Sequence, residues 1–354
     1  MNHETCTPVA VVGVGRMGRH HARTYKQMPD ADLKAVVDFD MTRAQAVADE
    51  YGCDAYKTVE QMLEAHPDIA AVTVAVPTVY HRAAAEPLLN EKIACLIEKP
   101  LAPSVEDCRA LVDCAKANHT VLQVGHTERF NPAVRAAEAL GFKVRFMQAE
   151  RVSPMTFRSM DVGVVMDMMI HDLDIVLRLA GSPIKTVDAT GVAVLGEQED
   201  IASARIVFEN GCVANITTSR MALNTERKLR VFSESGFINL NYATRDGIVV
   251  HTDGENREAM MKAREQLAAG QDLSDLKYLD MVKTQPLSFD LPAGEDDQLT
   301  AEQNNFLRAV RGGGRPAVDG EAGLAAVDAA QRVVRAIREH TWEGQAGSVL
   351  LLDS

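Results

Sequence analysis

Two short stretches of the sequence carry residue types that can move protons. In the first, CLIEKP, Glu98 and Lys99 follow an apolar run and precede Pro100. A lysine ammonium at such a place can donate a hydrogen bond to a substrate hydroxyl, or to the alkoxide that develops from it. Pro100 would restrict Lys99 to an extended backbone and so fix its direction. The alternative is a surface Glu–Lys pair at the end of a strand.

The second stretch, VVMDMMIHDLDIVLRLAG, places Asp167 and His171 four residues apart, with Asp174 three residues further on. On a helix these side chains would share one face. Asp167 could then orient the imidazole of His171 and support its protonated form, while the other ring nitrogen takes a substrate proton. The alternative is a hydrogen-bonded histidine on a buried helix, but three polar residues are costly to bury without a purpose. The spacing offers too few ligands for a metal, so none is expected.

A third stretch, VAVVGVGRMGRHHARTY, has three glycines in the spacing G-x-G-x-x-G. The first glycine permits a tight turn, the second lets the backbone approach a pyrophosphate, and the third allows close packing of the helix. The motif lies between a predicted strand and a predicted helix, whose N-terminus favours an anion. We therefore predict that this turn binds a dinucleotide through Gly13, Gly15, Arg16, Met17 and Gly18.

Asp38, at the end of the second predicted strand, is the expected acidic partner of this turn. A carboxylate there can accept hydrogen bonds from a ribose 2′-hydroxyl and would repel a 2′-phosphate. The sequence therefore favours NAD over NADP. Asp40 could share this task, and the alternative for Asp38 is a turn aspartate.

The carboxyl ends of the next predicted strands should extend the cofactor site, because in this topology they form the ligand crevice. The strand AVTVAV is followed by PTVYH, so Thr78 and His81 are expected along the dinucleotide. Glu98 and Lys99 end the following strand and would lie near the nicotinamide. For His81, a histidine at a helix start is an equally good interpretation.

Short β-rich runs and helical stretches alternate from residue 8 to about residue 125. The predicted strands are VAVVGV, LKAVVDF, AVTVAV, ACLIEK and VLQVG, and the predicted helices lie near 16–28, 42–51, 59–65, 80–90 and 104–118. Strict alternation indicates a parallel sheet that is covered on both faces. We therefore predict a doubly wound Rossmann domain over residues 1–126.

After residue 126 the pattern predicts one helix, over 162–180, and then a series of strands: IKTVDATGVAV, IASARIVFE, CVANITTSRM, KLRVFSES, FINLNY and GIVVH. Hairpin signals such as ENGC and SESGF separate several of them, which indicates a mainly antiparallel sheet. The chain is thus predicted to be an α/β protein whose second domain, 127–354, is α+β with an open, mainly antiparallel sheet. Residues 254–284 are predicted as a helix-prone lid or inserted hairpin.

Two final helices, over 300–311 and 324–340, are predicted near the end of the chain, and they could pack back on the first domain.

Composition excludes several classes of protein. The 354 residues are 46% hydrophobic and 25% charged, as in an ordinary globular protein of two domains, and the net charge of −13 offers no basic face for nucleic acid. The N-terminus lacks the features of a signal peptide, which predicts a cytoplasmic protein. The longest apolar region, 162–181, carries charged residues and is not a membrane helix. Six cysteines without metal-ligand spacing are predicted to be reduced thiols.

Together, the motifs GVGRMG, EKP and D-x-x-x-H resemble the Gfo/Idh/MocA family of oxidoreductases, over essentially the whole chain. The resemblance implies a Rossmann domain, an NAD cofactor, and an open sheet that serves substrate binding and assembly into a homodimer or homotetramer. It also implies that His171 is the general base, that Lys99 holds and polarises the reacting hydroxyl, and that Asp167 orients the pair. Met169 stands where many members have glycine, which affects the shape of the pocket more than the chemistry.

Three segments resemble a bacterial branch of the family that oxidises C3 of UDP-N-acetylglucosamine to make an amino-sugar precursor of lipid A: VGHTERFNPAV, ERVSPMTFRSMDVGVVMDMMIHDLDIV and NGCVANITTSRMALNTERKLRVF. This implies a nucleotide-sugar substrate, whose diphosphate needs cationic partners. Arg151, Arg158 and Arg220 are the candidates, although each could be an ordinary surface arginine. The alternatives are a dehydrogenase of a free polyol or sugar, inositol-like or glucose-like, and a non-catalytic dinucleotide sensor.

Overall fold

The structure is a computed structural model. It describes residues 6–156, 162–195, 197–242, 244, 246–252, 254–275, 277, 283–287, 297–342, 345–346 and 349–350. The chain divides into two compact units. The first comprises Met1–Phe130 and Leu291–Asp328, and the second comprises Asn131–Asp290 and Ala329–Ser354.

The described residues form the following strands: β1 Thr7–Val12, β2 Ala31–Val37, β3 Asp54–Tyr56, β4 Ala71–Val74, β5 Ala94–Glu98, β6 Leu122–Gly125, β7 Val144–Val152, β8 Ile184–Ala193, β9 Ile201–Phe208, β10 Val213–Ser219, β11 Glu226–Ser233, β12 Gly236–Asn241, β13 Asp246–His251, β14 Gln285–Pro286, β15 Thr341–Trp342, β16 Gln345–Ala346 and β17 Val349–Leu350. The helices are α1 Arg16–Gln27, α2 Met41–Tyr51, α3 Val59–Ala65, α4 His81–Asn90, α5 Val105–Ala117, α6 Pro132–Ala139, α7 Ile170–Ala180, α8 Gly254–Ala268, α9 Gln298–Val310 and α10 Gly320–Glu339.

A six-stranded sheet, in the order β3-β2-β1-β4-β5-β6, forms the centre of the first unit. All of its strand pairs are parallel, which confirms the predicted Rossmann sheet. The strand β3 was not among the predicted strands. It has three residues, and none of them is fully buried, so it gives no periodic signal in the sequence.

The core of the first unit includes a segment from near the C-terminus. Phe306 and Leu307 of α9 are fully buried in the same apolar cluster as Val9 and Val11 of β1. The predicted boundary at residue 126 places α9 in the second domain but allows the final helices to pack back on the first. The apolar side chains of α9 do belong to the core of the first unit. Burial of these side chains removes apolar surface from water, which stabilises this arrangement.

The second unit is built on a nine-stranded sheet, in the order β14-β13-β12-β11-β7-β10-β9-β8-β17. The pairs β7–β10 and β8–β17 are parallel, and the other pairs are antiparallel. The predicted mainly antiparallel sheet is therefore confirmed, although β7 was not predicted. One face is buried and the other is open: along β11, Leu229 and Val231 are buried, while Arg230 and Phe232 are exposed.

The helix predicted over 162–180 begins later in the structure and in a different geometry. A π-helical turn, Val165–Met169, precedes α7. Gly163 lies before this turn, where its lack of a side chain leaves room for the carboxylate of Glu199. Within residues 254–284, the structure has the helix α8. None of the described helices is long and apolar enough to cross a membrane.

Candidate active site

The glycine turn between β1 and α1 has three glycines that meet different demands. Gly13 has a φ of +83°, and a Cβ atom there would lie 2.7 Å from the backbone nitrogen of Val76. A Cβ atom on Gly18 would lie 1.8 Å from the carbonyl oxygen of Gly13, whereas nothing lies within 4 Å of one on Gly15. The fold itself therefore requires glycine at positions 13 and 18, while Gly15 leaves space for a ligand to approach the backbone.

The N-terminus of α1 fits the pyrophosphate of a dinucleotide. Gly15 is the N-cap, no side chain caps the helix, and the first turn has no acidic residue. The positive end of the helix dipole and its N–H groups are therefore available to an anion. Arg16 and Met17, in that first turn, are both exposed beside this position.

Asp38 directly follows β2, and its buried carboxylate is fixed next to the glycine turn. It accepts hydrogen bonds from the backbone N–H groups of Val14 and Asp40, both at 3.0 Å. Nη1 of Arg43 lies 3.3 Å from each of its oxygens. Asp38 thus lies beside the glycine turn, where the predicted contact with a ribose would need it. Asp40 instead caps α2, because its side chain accepts the N–H groups at the start of that helix.

Lys99 lies at the carboxyl edge of the parallel sheet, where β5 ends. It is half-buried, and its peptide bond to Pro100 is cis. Glu98 is buried, and its Oε2 accepts the backbone N–H of Lys99 at 3.2 Å. Burial alone would raise the pKa of Glu98, but the hydrogen bond from His21 and the charge of Lys99 hold that pKa below its ordinary value.

Thr78 and His81 follow β4 at the same edge of the sheet. Thr78 begins a short 3-10 turn and is half-buried. His81 begins α4 and is buried, with Nε2 2.9 Å from the carbonyl oxygen of Val76 and Nδ1 3.0 Å from that of Pro100. Burial lowers the pKa of His81, and the carbonyl groups act in the opposite direction. This placement favours a structural role, in which the ring joins the segments after β4 and β5.

In the second unit, Asp167 and His171 lie in consecutive turns of one helical segment. Asp167 belongs to the π-helical turn and His171 to the first turn of α7, and both are half-buried. Asp174, further along α7, is buried. Single π turns within helices are frequent at functional sites. Both predicted proton-transfer residues thus belong to one continuous helical segment.

The start of the π-helical turn is anchored by Glu199, which directly precedes Asp200 in the loop between β8 and β9. The carbonyl oxygen of Glu199 accepts the N–H of Val164 at 3.0 Å, and its Oε1 accepts the N–H of Val165 at 3.2 Å. A Cβ atom on Gly163 would lie 2.1 Å from that oxygen, so this close approach requires glycine. A carboxylate at the N-terminal end of a helix also interacts favourably with the helix dipole.

Arg151, predicted to bind a diphosphate, forms a buried ion pair in the second unit. Its Nε lies 2.7 Å from Oδ2 of Asp172, and its Nη2 lies 3.1 Å from Oδ1, which is a bidentate geometry. Both side chains are at most 5% exposed. This placement favours a structural role for Arg151, which joins β7 to α7. The second predicted arginine, Arg158, lies outside the described residues.

Arg220, the third predicted arginine, is also buried against a carboxylate. Its Nε donates to Oδ1 of Asp200 at 2.6 Å, and its Nη1 donates to the carbonyl oxygen of Val162 at 2.9 Å. Burial alone would raise the pKa of Asp200, but the backbone N–H groups of Leu195 and Val194 and the guanidinium hold that pKa below its ordinary value. Arg220 thus anchors the segment that leads into the π-helical turn.

Two residues that contact the predicted site, His21 and Arg43, were not predicted, and only His21 has a signal in the sequence. His21 shares the buried stripe of α1 with Gly18, Ala22 and Tyr25, at helical spacing. A polar residue within such a stripe needs a buried partner, but the sequence does not say which one. Arg43 gave no such signal, since it lies on the exposed side of α2. Among the described residues, no cluster of His, Cys, Asp or Glu could hold a metal ion.

Comparison with known proteins identifies the family. Residues 7–126 match the Gfo/Idh/MocA oxidoreductase family, described as having an NAD-binding Rossmann fold, and residues 138–239 match the Gfo/Idh/MocA C-terminal domain. The chain therefore belongs to the Gfo/Idh/MocA family. It is an NAD-dependent oxidoreductase, as the three motifs in the sequence predicted.

Relatives that cover nearly the whole chain include two curated dehydrogenases. UDP-N-acetylglucosamine 3-dehydrogenase of Acidithiobacillus ferrooxidans is 32% identical over 91% of this chain and 95% of its own length. Inositol 2-dehydrogenase of Rhizobium meliloti is 26% identical over 93% of this chain and 96% of its own length.

Solved structures agree with this family assignment. A structure of the Acidithiobacillus ferrooxidans enzyme has a TM-score of 0.81 at 32% identity and covers 93% of this chain and 97% of its own. Levoglucosan dehydrogenase, solved with NADH and levoglucosan, has a TM-score of 0.79 at 19% identity and covers 96% of this chain and 99% of its own. At that identity the second likeness shows the fold alone.

Alanine at positions 15 and 18 should separate cofactor binding from stability. We expect Gly15→Ala to fold normally but to raise the Kd for NAD about tenfold, because its Cβ enters the space left for the pyrophosphate. Gly18→Ala should lower the free energy of unfolding by about 3 kcal/mol, because its Cβ overlaps a carbonyl oxygen. Calorimetric titration with NAD and denaturant unfolding measure the two effects. Equal loss of stability in both variants would contradict this assignment.

Glu302 of α9 is a second buried carboxyl group of the first unit, and it should make stability depend on pH. Burial and the charge of Glu98 raise its pKa well above the ordinary value of 4.5, and Thr127 offsets this only in part. Above pH 4.5 the unfolded chain loses this proton while the folded protein keeps it. The free energy of unfolding therefore falls as the pH rises towards the raised pKa.

Glu302→Gln has no proton to lose at this position, so its Tm should gain on that of the wild type as the pH rises above 4.5. Scanning calorimetry at a series of pH values measures the difference. Glu321→Gln, which changes an exposed carboxylate of α10, is the matched control and should show no such trend. A Tm difference that stays constant with pH would mean that Glu302 is ionised in the folded protein.

Proposed function

We propose that the protein oxidises a secondary hydroxyl of a sugar to a ketone with NAD, and that the substrate is UDP-N-acetylglucosamine, oxidised at C3. The observation that carries the substrate is the 32% identity to the Acidithiobacillus ferrooxidans 3-dehydrogenase over 91% of this chain. The chemistry is supported by Lys99 at the carboxyl edge of the Rossmann sheet and by Asp167 and His171 on the helical segment of the second unit.

Each of these side chains has one task in the proposed reaction. Lys99 donates a hydrogen bond to the oxygen of the reacting hydroxyl and stabilises the alkoxide character that develops there. His171 accepts the hydroxyl proton, and Asp167 orients its ring. NAD, when bound at the glycine turn and Asp38, supplies the nicotinamide carbon that accepts the hydride from the substrate carbon. Thr78 and Glu98 belong to the same edge of the sheet and are proposed to shape the cofactor site.

The burial of Arg151 and Arg220 argues against direct contacts between these two arginines and a diphosphate. Arg151 and Arg220 each already pair with a carboxylate of the second unit. We propose that they act indirectly, by holding the segment that carries Asp167 and His171. Arg158 keeps its predicted role as a direct contact of the diphosphate.

A free polyol is the second candidate substrate. The specific observation in its favour is the 26% identity to inositol 2-dehydrogenase of Rhizobium meliloti over 93% of this chain. Oxidation of a polyol by this protein would use the same proton transfer at Lys99 and His171 but would need no cation for a diphosphate. A dinucleotide sensor without turnover is disfavoured, because it would need the glycine turn but no proton-transfer residues.

The decisive assay measures NADH absorbance when the purified protein meets NAD with UDP-N-acetylglucosamine, other UDP-sugars, free sugars or inositol. A ketone trap or an aminotransferase should be included, since oxidation of an alcohol by NAD can be uphill. We expect turnover only with UDP-N-acetylglucosamine. Turnover with inositol but not with UDP-sugars would replace the proposed substrate, and no turnover with any of them would favour the sensor.

Variants test the assigned roles within the same assay. His171→Ala and Lys99→Ala should each lower kcat by about 10²- to 10⁴-fold, the usual range for loss of a proton-transfer group, while NAD binding persists. Lys116→Ala removes an exposed lysine of the same unit and serves as the control with unchanged kcat.

The open face of the second unit's sheet is proposed to join copies of the chain into a homodimer or homotetramer. Phe146, Phe232 and Phe237 form a row across β7, β11 and β12, with neighbouring ring centroids 5.9 Å apart. Phe232 is 37% exposed. Aromatic side chains that stay accessible on a sheet face are typical of protein interfaces.

Phe232→Lys should therefore shift the protein to a smaller species in size-exclusion chromatography with light scattering, because it places a charge in the proposed interface. Leu223→Lys, at a position that is 94% exposed and outside this row, is the control. A monomeric wild type would contradict the proposal.

We also propose that the protein works in the cytoplasm. All six of its cysteines lie among the described residues, and none forms a disulfide. Free thiols are typical of a reducing compartment.

A further inference from the structure

Behind the edge of the sheet that carries Lys99, the first unit buries a set of polar side chains from three different elements. His21 of α1 and Gln303 of α9 are fully buried, and Glu98 at the end of β5 is 8% exposed. Polar groups that are removed from water destabilise the fold unless they find hydrogen-bond partners. The hydrogen-bond partners of these three side chains therefore show which neighbouring groups are held in fixed positions.

Gln303 fixes the ring of His21. Its Nε2 lies 3.0 Å from Nδ1 of His21 and 3.2 Å from the carbonyl oxygen of the same residue. A carbonyl oxygen only accepts and an amide nitrogen only donates, so the amide group of Gln303 has one favourable orientation. Nδ1 of His21 is then an acceptor, and the ring proton lies on Nε2.

His21 in turn fixes the carboxylate of Glu98. Its Nε2 lies 2.7 Å from Oε1 of Glu98 and donates to it. The other oxygen, Oε2, accepts the backbone N–H of Lys99 at 3.2 Å. Gly125 of β6 leaves the space for this carboxylate, because a Cβ atom there would lie 3.2 Å from Oε2. Both oxygens are thus held, one by α1 and one by the amide of Lys99.

We propose that His21 and Gln303 are positioning residues for Lys99, which they hold through the carboxylate of Glu98. This inference rests on the proposed function, in which Lys99 contacts the reacting hydroxyl. α1 begins at the glycine turn proposed to bind the cofactor. The bonds from His21 to Glu98 and from the Lys99 amide to Glu98 therefore tie the backbone of Lys99 to that helix. A displacement of about 1 Å at a reacting group can lower the rate by about 10²-fold.

Glu302 provides a matched control for this inference. It precedes Gln303 on α9 and is also fully buried, and burial together with the charge of Glu98 raises its pKa well above the ordinary value, which favours the protonated carboxyl group. Glu302→Gln therefore replaces one neutral polar group by another of the same shape. Glu98→Gln instead removes a negative charge and one of the two acceptors that hold His21 and Lys99.

The first experiment follows hydrogen exchange of the Lys99 backbone amide by mass spectrometry of a peptide that spans β5 and Lys99. Gln303→Met and His21→Phe should each accelerate exchange of this amide by about tenfold, because the Glu98 carboxylate loses its fixed orientation. Glu302→Gln should leave it unchanged. Should His21→Phe fail to fold, Gln303→Met and Gly125→Ala test the same contact. Unchanged exchange in folded Gln303→Met would overturn the inference.

The second experiment compares kinetics with cofactor binding. Gln303→Met should lower kcat by about tenfold while the Kd for NAD stays within about twofold, since Lys99 is misdirected but the glycine turn is intact. His21→Gln, which keeps an N–H donor for Glu98, should retain more of the wild-type kcat than His21→Phe. Parallel losses of Tm and NAD affinity with unchanged kcat would instead mean a purely structural role and overturn the inference.

The two experiments separate this inference from the proposed function. Hydrogen exchange of the Lys99 amide needs no substrate, so it decides the positioning contact even when the wild type oxidises none of the compounds in the assay. A wild type without activity but with faster Lys99 exchange in Gln303→Met would support the contact and overturn the proposed function. An active wild type, together with unchanged exchange of the Lys99 amide in Gln303→Met, would support the proposed function and overturn the positioning contact.

Discussion

The buried carboxylate of Glu98 constrains the edge of the first unit's sheet that carries Lys99. A carboxylate that leaves water must receive hydrogen bonds, or burial becomes very costly. His21 supplies one donor and the amide of Lys99 supplies another. The same requirement that keeps this charge stable therefore fixes the backbone of the lysine. In the proposed function, the catalytic geometry at Lys99 therefore depends on contacts that also keep a buried charge stable.

In the second unit, buried arginines rather than a buried carboxylate constrain the elements near the proposed site. Arg151 pairs with Asp172 of α7, and Arg220 pairs with Asp200 while it donates to the carbonyl oxygen of Val162 before the π-helical turn. Buried ion pairs contribute little net stability, but they are strongly destabilising to break. We therefore expect their role in this unit to be in fixing the position of the helical segment that carries the proposed base.

The sequence predicted what its periodicity encodes and missed what depends on distant partners. The parallel sheet and the glycine turn followed from alternation and spacing, and Lys99 stood out by its residue type. The strand β7 was missed because Arg151, on its buried face, interrupts the apolar alternation. The ion pairs of Arg151 and Arg220 join residues 21 and 20 positions apart, and no local pattern reveals such pairs. For the same reason both arginines resembled ligands for a phosphate.

The packing of α9 against β1 has a consequence for how the protein is made. His21 and Gln303 are 282 positions apart in the chain, and Phe306 and Leu307 complete the same core. Contacts over such distances raise the contact order and slow folding. During synthesis the N-terminal strands leave the ribosome first, yet they cannot close their apolar cluster until α9 has emerged. The strands of the first unit that are made before α9 must therefore wait with an incomplete core until α9 is available.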